Sequence, residues 1–134
     1  MVIDTSAVLA IFRREPERHY FLEAIEEADS VRMSIASLVE TSIVIESRYG
    51  PQGLLDLDRF IAQAGIEVLP VDLRQGQWAR MAFSRFGKGR HRAALNYGDC
   101  FSYAIAMCLG EPLLFKGDDF IHTDVPHWPA SNPN

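Results

Sequence analysis

Met1-Val2-Ile3-Asp4-Thr5-Ser6-Ala7-Val8-Leu9-Ala10-Ile11-Phe12 is the stretch whose reading decides the fold. Its first three residues form a short apolar run stopped by Asp4-Thr5-Ser6, and the apolar run from Ala7 has the length of a short helix ending before Pro16. Strand, turn and helix follow one another. The unit recurs along the chain. Helical spacing of Tyr20, Phe21, Ala24 and Ile25 over 17–28 precedes the strand candidate Val31-Arg32-Met33, and a helix starting near Ser34 runs to the Gly50-Pro51 break. Leu54, Leu55, Leu57, Phe60, Ile61 and Ala64 mark a further helix closed by Gly65, with 66–71 as a strand. Residues 73–86 read as a helix with Trp78, Met81, Ala82 and Phe86 toward the core, and 87–92 as a flexible basic loop. The last long helix covers 98–109, a final strand covers 113–116, and a tail with Pro126, Pro129 and Pro133 is irregular from about residue 124.

Short apolar strands alternating with helices of this length predict a three-layer α/β/α domain with a mostly parallel central sheet. The 134 residues, 48% of them apolar, are enough for one domain spanning 1–134 with a core that needs neither disulfide nor structural metal. Cys100 and Cys108 lie eight residues apart in one predicted helix, about 12 Å at 1.5 Å per residue, too far to be bridged. Without a C-x-x-C motif, this cysteine usage favours a reducing, cytoplasmic setting. No basic region precedes the first apolar residues and nowhere do about 18 uncharged apolar residues run together, so neither a secretion signal nor a membrane span is expected.

In parallel α/β sheets, ligands bind beyond the carboxyl ends of the strands. Asp4 sits at such an end, and Asp118-Asp119 follows Leu113-Leu114-Phe115 at another. Glu40 lies in a helix apolar around most of its circumference, where an ionised group needs a partner or a metal. Ser37-x-x-Glu40 also fits a capping box, while Ser34 is an equally good cap that would place Glu40 almost two turns inside the helix. Asp99 falls in the first turn of the 98–109 helix, where the helix dipole alone contributes about 0.3–1 kcal/mol in its favour. Each acid has an ordinary structural reading. Together they fall where one edge could gather them, and two carboxylates about 4 Å apart repel by roughly 4 kcal/mol at an effective dielectric near 20. Such a cluster calls for a cation. An all-oxygen donor set suits Mg²⁺ or Mn²⁺ rather than zinc, and an ion of that kind points to hydrolysis of a phosphodiester.

The net charge of −5 conceals a division along the chain. Between Leu73 and Gly98 there is no acid, only Arg74, Arg80, Arg85, Lys88, Arg90 and Arg92, which leaves 7 cations against 18 acids elsewhere, a net of −11. A basic sector on an acidic protein is suited to a phosphate backbone, with Lys88, Arg90 and Arg92 as the candidate contacts, and equally fits a solvated helix face followed by a basic loop.

Five stretches carry a family likeness: Val2-Ile3-Asp4-Thr5-Ser6-Ala7, Ser37-x-x-Glu40, Gly87-Lys88-Gly89-Arg90-His91, 95–104 (Leu-Asn-Tyr-Gly-Asp-Cys-Phe-Ser-Tyr-Ala) and 113–120 (Leu-Leu-Phe-Lys-Gly-Asp-Asp-Phe). In these the sequence resembles the PIN-domain ribonucleases, most closely the VapC toxins of bacterial toxin–antitoxin pairs. The resemblance implies a Mg²⁺-dependent endoribonuclease whose acidic, metal-holding centre is Asp4, Glu40 and Asp99, with Ser6 as a hydroxyl behind the acids. The family's fourth acid commonly stands where this chain has Gly117, so Asp118 is expected to substitute, with Asp119 as its alternate. The resemblance also implies a homodimer held inactive by a cognate VapB-type antitoxin.

Two other readings fit part of the pattern. A haloacid-dehalogenase-like phosphohydrolase also begins with an apolar strand ending in Asp, but wants a second Asp where Ser6 stands. A non-catalytic interaction domain would bind metal or RNA and cleave nothing.

Overall fold

The computed structural model describes residues 1–129; residue 130 onward, including Pro133 of the expected tail, lies outside the described residues. Four strands form one parallel sheet: β1 (Val2–Ile3), β2 (Val31–Ser34), β3 (Ile66–Leu69) and β4 (Leu113–Leu114). Their order is β3-β2-β1-β4. The chain therefore steps outward from β1 to β3 and then returns to the opposite side of β1. That reversal lies between β1 and β4, and it opens a crevice beyond their carboxyl ends.

Helices cover both faces. Helix α1 (Thr5–Phe12), α2 (Arg18–Glu27) and α3 (Ile35–Gln63) bring Ala7, Ile11, Phe21, Ile45 and Leu57 into one buried cluster. Helix α4 (Leu73–Phe86) and α5 (Tyr97–Leu109) bring Ala82, Phe86, Tyr103, Ile105 and Ala106 into a second. Strand alternation assigns neighbouring residues to opposite layers. Ile3 and Leu114 belong to the first cluster, and Val2 and Leu113 to the second. The three-layer α/β/α architecture expected from the sequence is thus present.

Helix α3 bends at Gly50, whose φ of 70° and ψ of −165° are non-helical and which Pro51 follows. The break read at Gly50-Pro51 is this kink, and the chain resumes its helix directly. Two expectations are corrected. Met81 is 36% exposed rather than in the core, because the buried stripe of α4 runs through Ala79, Ala82 and Phe86. The loop over 87–95 is also not free. Lys88 donates its N–H to Leu95 O and Leu95 to Phe86 O, both at 2.9 Å, while Ala93 and Leu95 are fully buried. The described part of the tail is irregular but anchored. Leu113 donates to Pro126 O at 2.8 Å and Trp128 to Leu113 O at 3.0 Å, which seats Val125 in the core.

Candidate active site

Asp4 follows β1 directly and caps α1. Its extended backbone (φ −88°, ψ 157°) turns the carboxylate back over the helix it starts. Oδ2 accepts the Ser6 N–H at 3.0 Å and the Ser6 hydroxyl at 2.6 Å, and Oδ1 accepts the Ser102 hydroxyl at 2.5 Å. The side chain is only 4% exposed. Ser6 Oγ in turn accepts the Lys116 N–H at 3.0 Å, which ties the start of α1 to the chain beyond β4.

Glu40 enters from α3. Ser34 caps that helix, accepting the Ala36 N–H at 3.2 Å, so Glu40 lies inside it and the capping-box reading of Ser37 does not hold. Burial pushes the Glu40 carboxyl up, the Thr5 hydroxyl holds it down, and the Asp4 charge raises it again. The residue it meets is Gly98. A Cβ at that position would fall 2.1 Å from Glu40 Oε2 and 2.6 Å from Cδ, so the carboxylate can occupy this place only while residue 98 has no side chain.

Asp99 completes a reciprocal cap at the start of α5. Its N–H donates to Asn96 Oδ1 at 2.8 Å, and its Oδ2 accepts the Asn96 N–H at 3.0 Å. One carboxylate oxygen is thereby engaged. The Asp99 carboxyl is nonetheless pushed up to about 7, chiefly by burial, against the Asn96 N–H, with the charges of Asp4, Asp119 and Glu40 adding to the rise. The structural reading of Asp99, an acid in the first turn of its helix, holds.

From the β4 side, Asp119 is the acid whose charge reaches Asp99. It starts a 3₁₀ turn (Phe120–His122), and its side chain makes no cap hydrogen bond. Asp118 is exposed, and its carbonyl accepts the Ile121 N–H. Gly117, at φ 97°, turns the chain just before the pair.

A layer of hydroxyls beneath the acids was not singled out from the sequence. Thr5 and Thr41 both donate to Ser37 O, at 3.0 and 2.8 Å, Thr41 reaches Thr5 Oγ1 at 3.1 Å, and the Ser37 and Ser102 hydroxyls pair at 3.1 Å. All four residues are buried. The signal was Ser37 and Thr41 one turn apart on an apolar helix, and Ser102 one turn beyond Asp99.

Asp4, Glu40 and Asp99 come from three elements and face one another closely enough for the charges of Asp4 and Glu40 to act on Asp99, with exposed Asp119 adding to them from the β4 side. Among the described residues, no three His, Cys, Asp or Glu side chains stand close enough together to hold a metal ion as placed. Asp4 and Asp99 are each turned to donors of their own chain. The donor chemistry still fits a hard divalent cation: all the candidate ligands are carboxylate oxygens, and Asp99 and Glu40 are disfavoured as anions without a counter-charge.

Lys88, Arg90 and Arg92 are all exposed on the loop after α4. The Arg90 guanidinium lies over the Phe83 ring, 5.4 Å from its centroid. No helix among the described residues is long and apolar enough to cross a membrane.

A PIN domain family model matches residues 1–126. Ribonuclease VapC of Mycolicibacterium smegmatis is 55% identical over 126 residues, covering 93% of this chain and 97% of that protein. Ribonuclease VapC30 of Mycobacterium tuberculosis is 52% identical over 126 residues, covering 93% and 95%. A toxin–antitoxin complex from Klebsiella pneumoniae contains a chain of the same fold, with a TM-score of 0.71 at 14% identity over 98% of both chains.

Proposed function

Because the chain belongs to the PIN-domain family, and within it to the VapC ribonucleases, we propose that it is a Mg²⁺-dependent endoribonuclease, the toxin of a VapBC-type pair. Mn²⁺ is an alternative ion. Membership of this family sets aside the haloacid-dehalogenase reading, and the Ser6 hydroxyl that stands in place of the required second Asp is already committed to Asp4. The observation that carries the proposal is that α5 meets both other acids at the reversal of strand order: its Ser102 donates to Asp4, and its Gly98, beside Asp99, packs on the Glu40 carboxylate.

Asp4, Glu40 and Asp99 are the residues that would hold the ion. Asp119 ranks ahead of Asp118 as the fourth acid. The chemistry such an ion supplies is acidification of a water and compensation of negative charge at the phosphodiester. The chain's own contribution is orientation. Ser6 and Ser102 fix both oxygens of Asp4, and the Asn96 N–H holds one oxygen of Asp99 so that the other is free to face the pocket. Lys88, Arg90 and Arg92 contact the RNA backbone, whose approach to the acids needs their charge neutralised.

The same reading makes the chain one PIN domain acting in the cytoplasm, where its RNA is found, and restrained by a cognate VapB-type antitoxin. Arginines of such a partner match carboxylates in bidentate fashion. Exposed apolar Ile35, Val39 and Ile43 along α3 support a homodimer. Incubation of purified wild type and Asp4→Asn with RNA, in Mg²⁺ with and without EDTA, tests the activity. Cleavage by wild type alone, stopped by EDTA, is expected; RNA left intact by wild type in Mg²⁺ and in Mn²⁺ would favour the interaction-domain reading.

A further inference from the structure

Helices α4 and α5 enclose an open groove of about 400 Å³, floored by Ala79, Cys100 and Phe101 and walled by Phe83, Tyr97 and Arg80. Tyr97 and Phe101 also line a second groove of about 300 Å³, which contains Glu40 and Gly98 and borders Val39 and Ile43 of the exposed α3 face. Tyr97 and Phe101 therefore stand between the two depressions and present surface to both. The first is basic and aromatic, and the second contains the Glu40 carboxylate.

Tyr97 is 80% exposed, although it stands two residues before Asp99. Its ring packs edge-on against Phe101, with centroids 4.9 Å apart and planes at 75°. That contact fixes the ring while leaving it open to solvent. Phe83 across the groove is 40% exposed beneath Arg90. Among the described residues, Arg80, Lys88, Arg90 and Arg92 form no ion pair, and of the cations between 73 and 98 only Arg85 does, with Asp124. Exposed rings beside unpaired cations are the combination that single-stranded nucleic acid uses, with bases on the rings and phosphates on the cations. A second copy of the chain seated in the α4–α5 groove itself, as distinct from the apolar α3 surface, is disfavoured by the same charges. A two-fold interface matches a patch with itself, and here that would set cation against cation.

We propose that the α4–α5 groove is a single-stranded RNA subsite in which an unpaired base stacks on Tyr97 while Arg80 and Arg90 hold the flanking phosphates. This rests on the endoribonuclease reading and adds to it a positioning residue and a requirement for unstructured RNA at the cleavage point. Every base has a π-face, so Tyr97 contributes affinity and placement with little choice of base.

The test measures fluorescence anisotropy of a labelled single-stranded oligoribonucleotide, with all proteins carrying Asp4→Asn to prevent turnover. Tyr97→Ala should weaken binding on the order of ten-fold, and Tyr97→Trp should restore it with quenching of the new indole as RNA is added. Arg80→Ala should lower the salt slope by about one. A duplex of the same sequence should be insensitive to residue 97. Unchanged affinity of Tyr97→Ala would overturn the subsite. So would a change in its mass by light scattering from dimer to monomer, which would assign the ring to a second copy. If wild type cleaves RNA while either result is found, the subsite alone fails; if wild type neither cleaves nor binds RNA, the endoribonuclease reading fails with it.

Discussion

Gly98 and Glu40 are in such close apposition that even a methyl group on residue 98 would fall 2.1 Å from the Glu40 carboxylate. The obstructed atoms are the far end of a flexible side chain, so the fold can accept Gly98→Ala by moving Glu40. A helix start also tolerates alanine better than glycine in its interior positions. Gly98→Ala is therefore expected to melt within a few degrees of wild type and to lose at least ten-fold in RNA cleavage. Melting by circular dichroism beside a cleavage time course separates the two effects.

Asp99 links stability to pH. Its carboxyl titrates near 7 in the fold against an ordinary 3.8, so the folded state binds this proton more tightly than the unfolded chain does. The sign follows: the penalty of ionising Asp99 is absent below 3.8, grows through the interval, and is complete above about 7. Asp99→Asn keeps an oxygen for the Asn96 N–H and removes the charge. The variant should gain thermal stability relative to wild type at pH 8 and show little gain at pH 4, while losing cleavage at both.

Ser102 donates to Asp4 and pairs with Ser37 in a buried position. Ser102→Ala leaves both partners short of a hydrogen bond, at a cost of about 1–2 kcal/mol. Chemical denaturation should show that loss. Cleavage should fall as well, with Asp4 freed on one side, although Ser102 itself touches no substrate.

Asp119→Asn is expected to impair cleavage more than Asp118→Asn, since of the two only Asp119 adds its charge to the rise at Asp99 that burial and Asp4 lead. Parallel assays of the two single variants measure the ranking, and a larger loss from Asp118→Asn reverses it.

The sequence makes visible what depends on period and position. Alternating strands and helices gave the layers. The acid after β1 and the pair after β4 are placed at the sheet edge by strand ends alone, and Ser34 against Ser37 was decidable only by which one caps α3. What was illegible depends on distant backbone. Two apolar residues, Ala93 and Leu95, pin a loop whose composition reads as mobile. The hydroxyls Thr5, Ser37, Thr41 and Ser102 look like filler until α3 and α5 bring them under Asp4.

Calorimetric titration of Mn²⁺ into wild type, Glu40→Gln and Asp99→Asn at pH 8 asks most directly whether these acids work as a unit. The account predicts that wild type binds the ion and that either substitution weakens binding at least ten-fold. Equal affinity in all three proteins, or no binding by wild type, would contradict it.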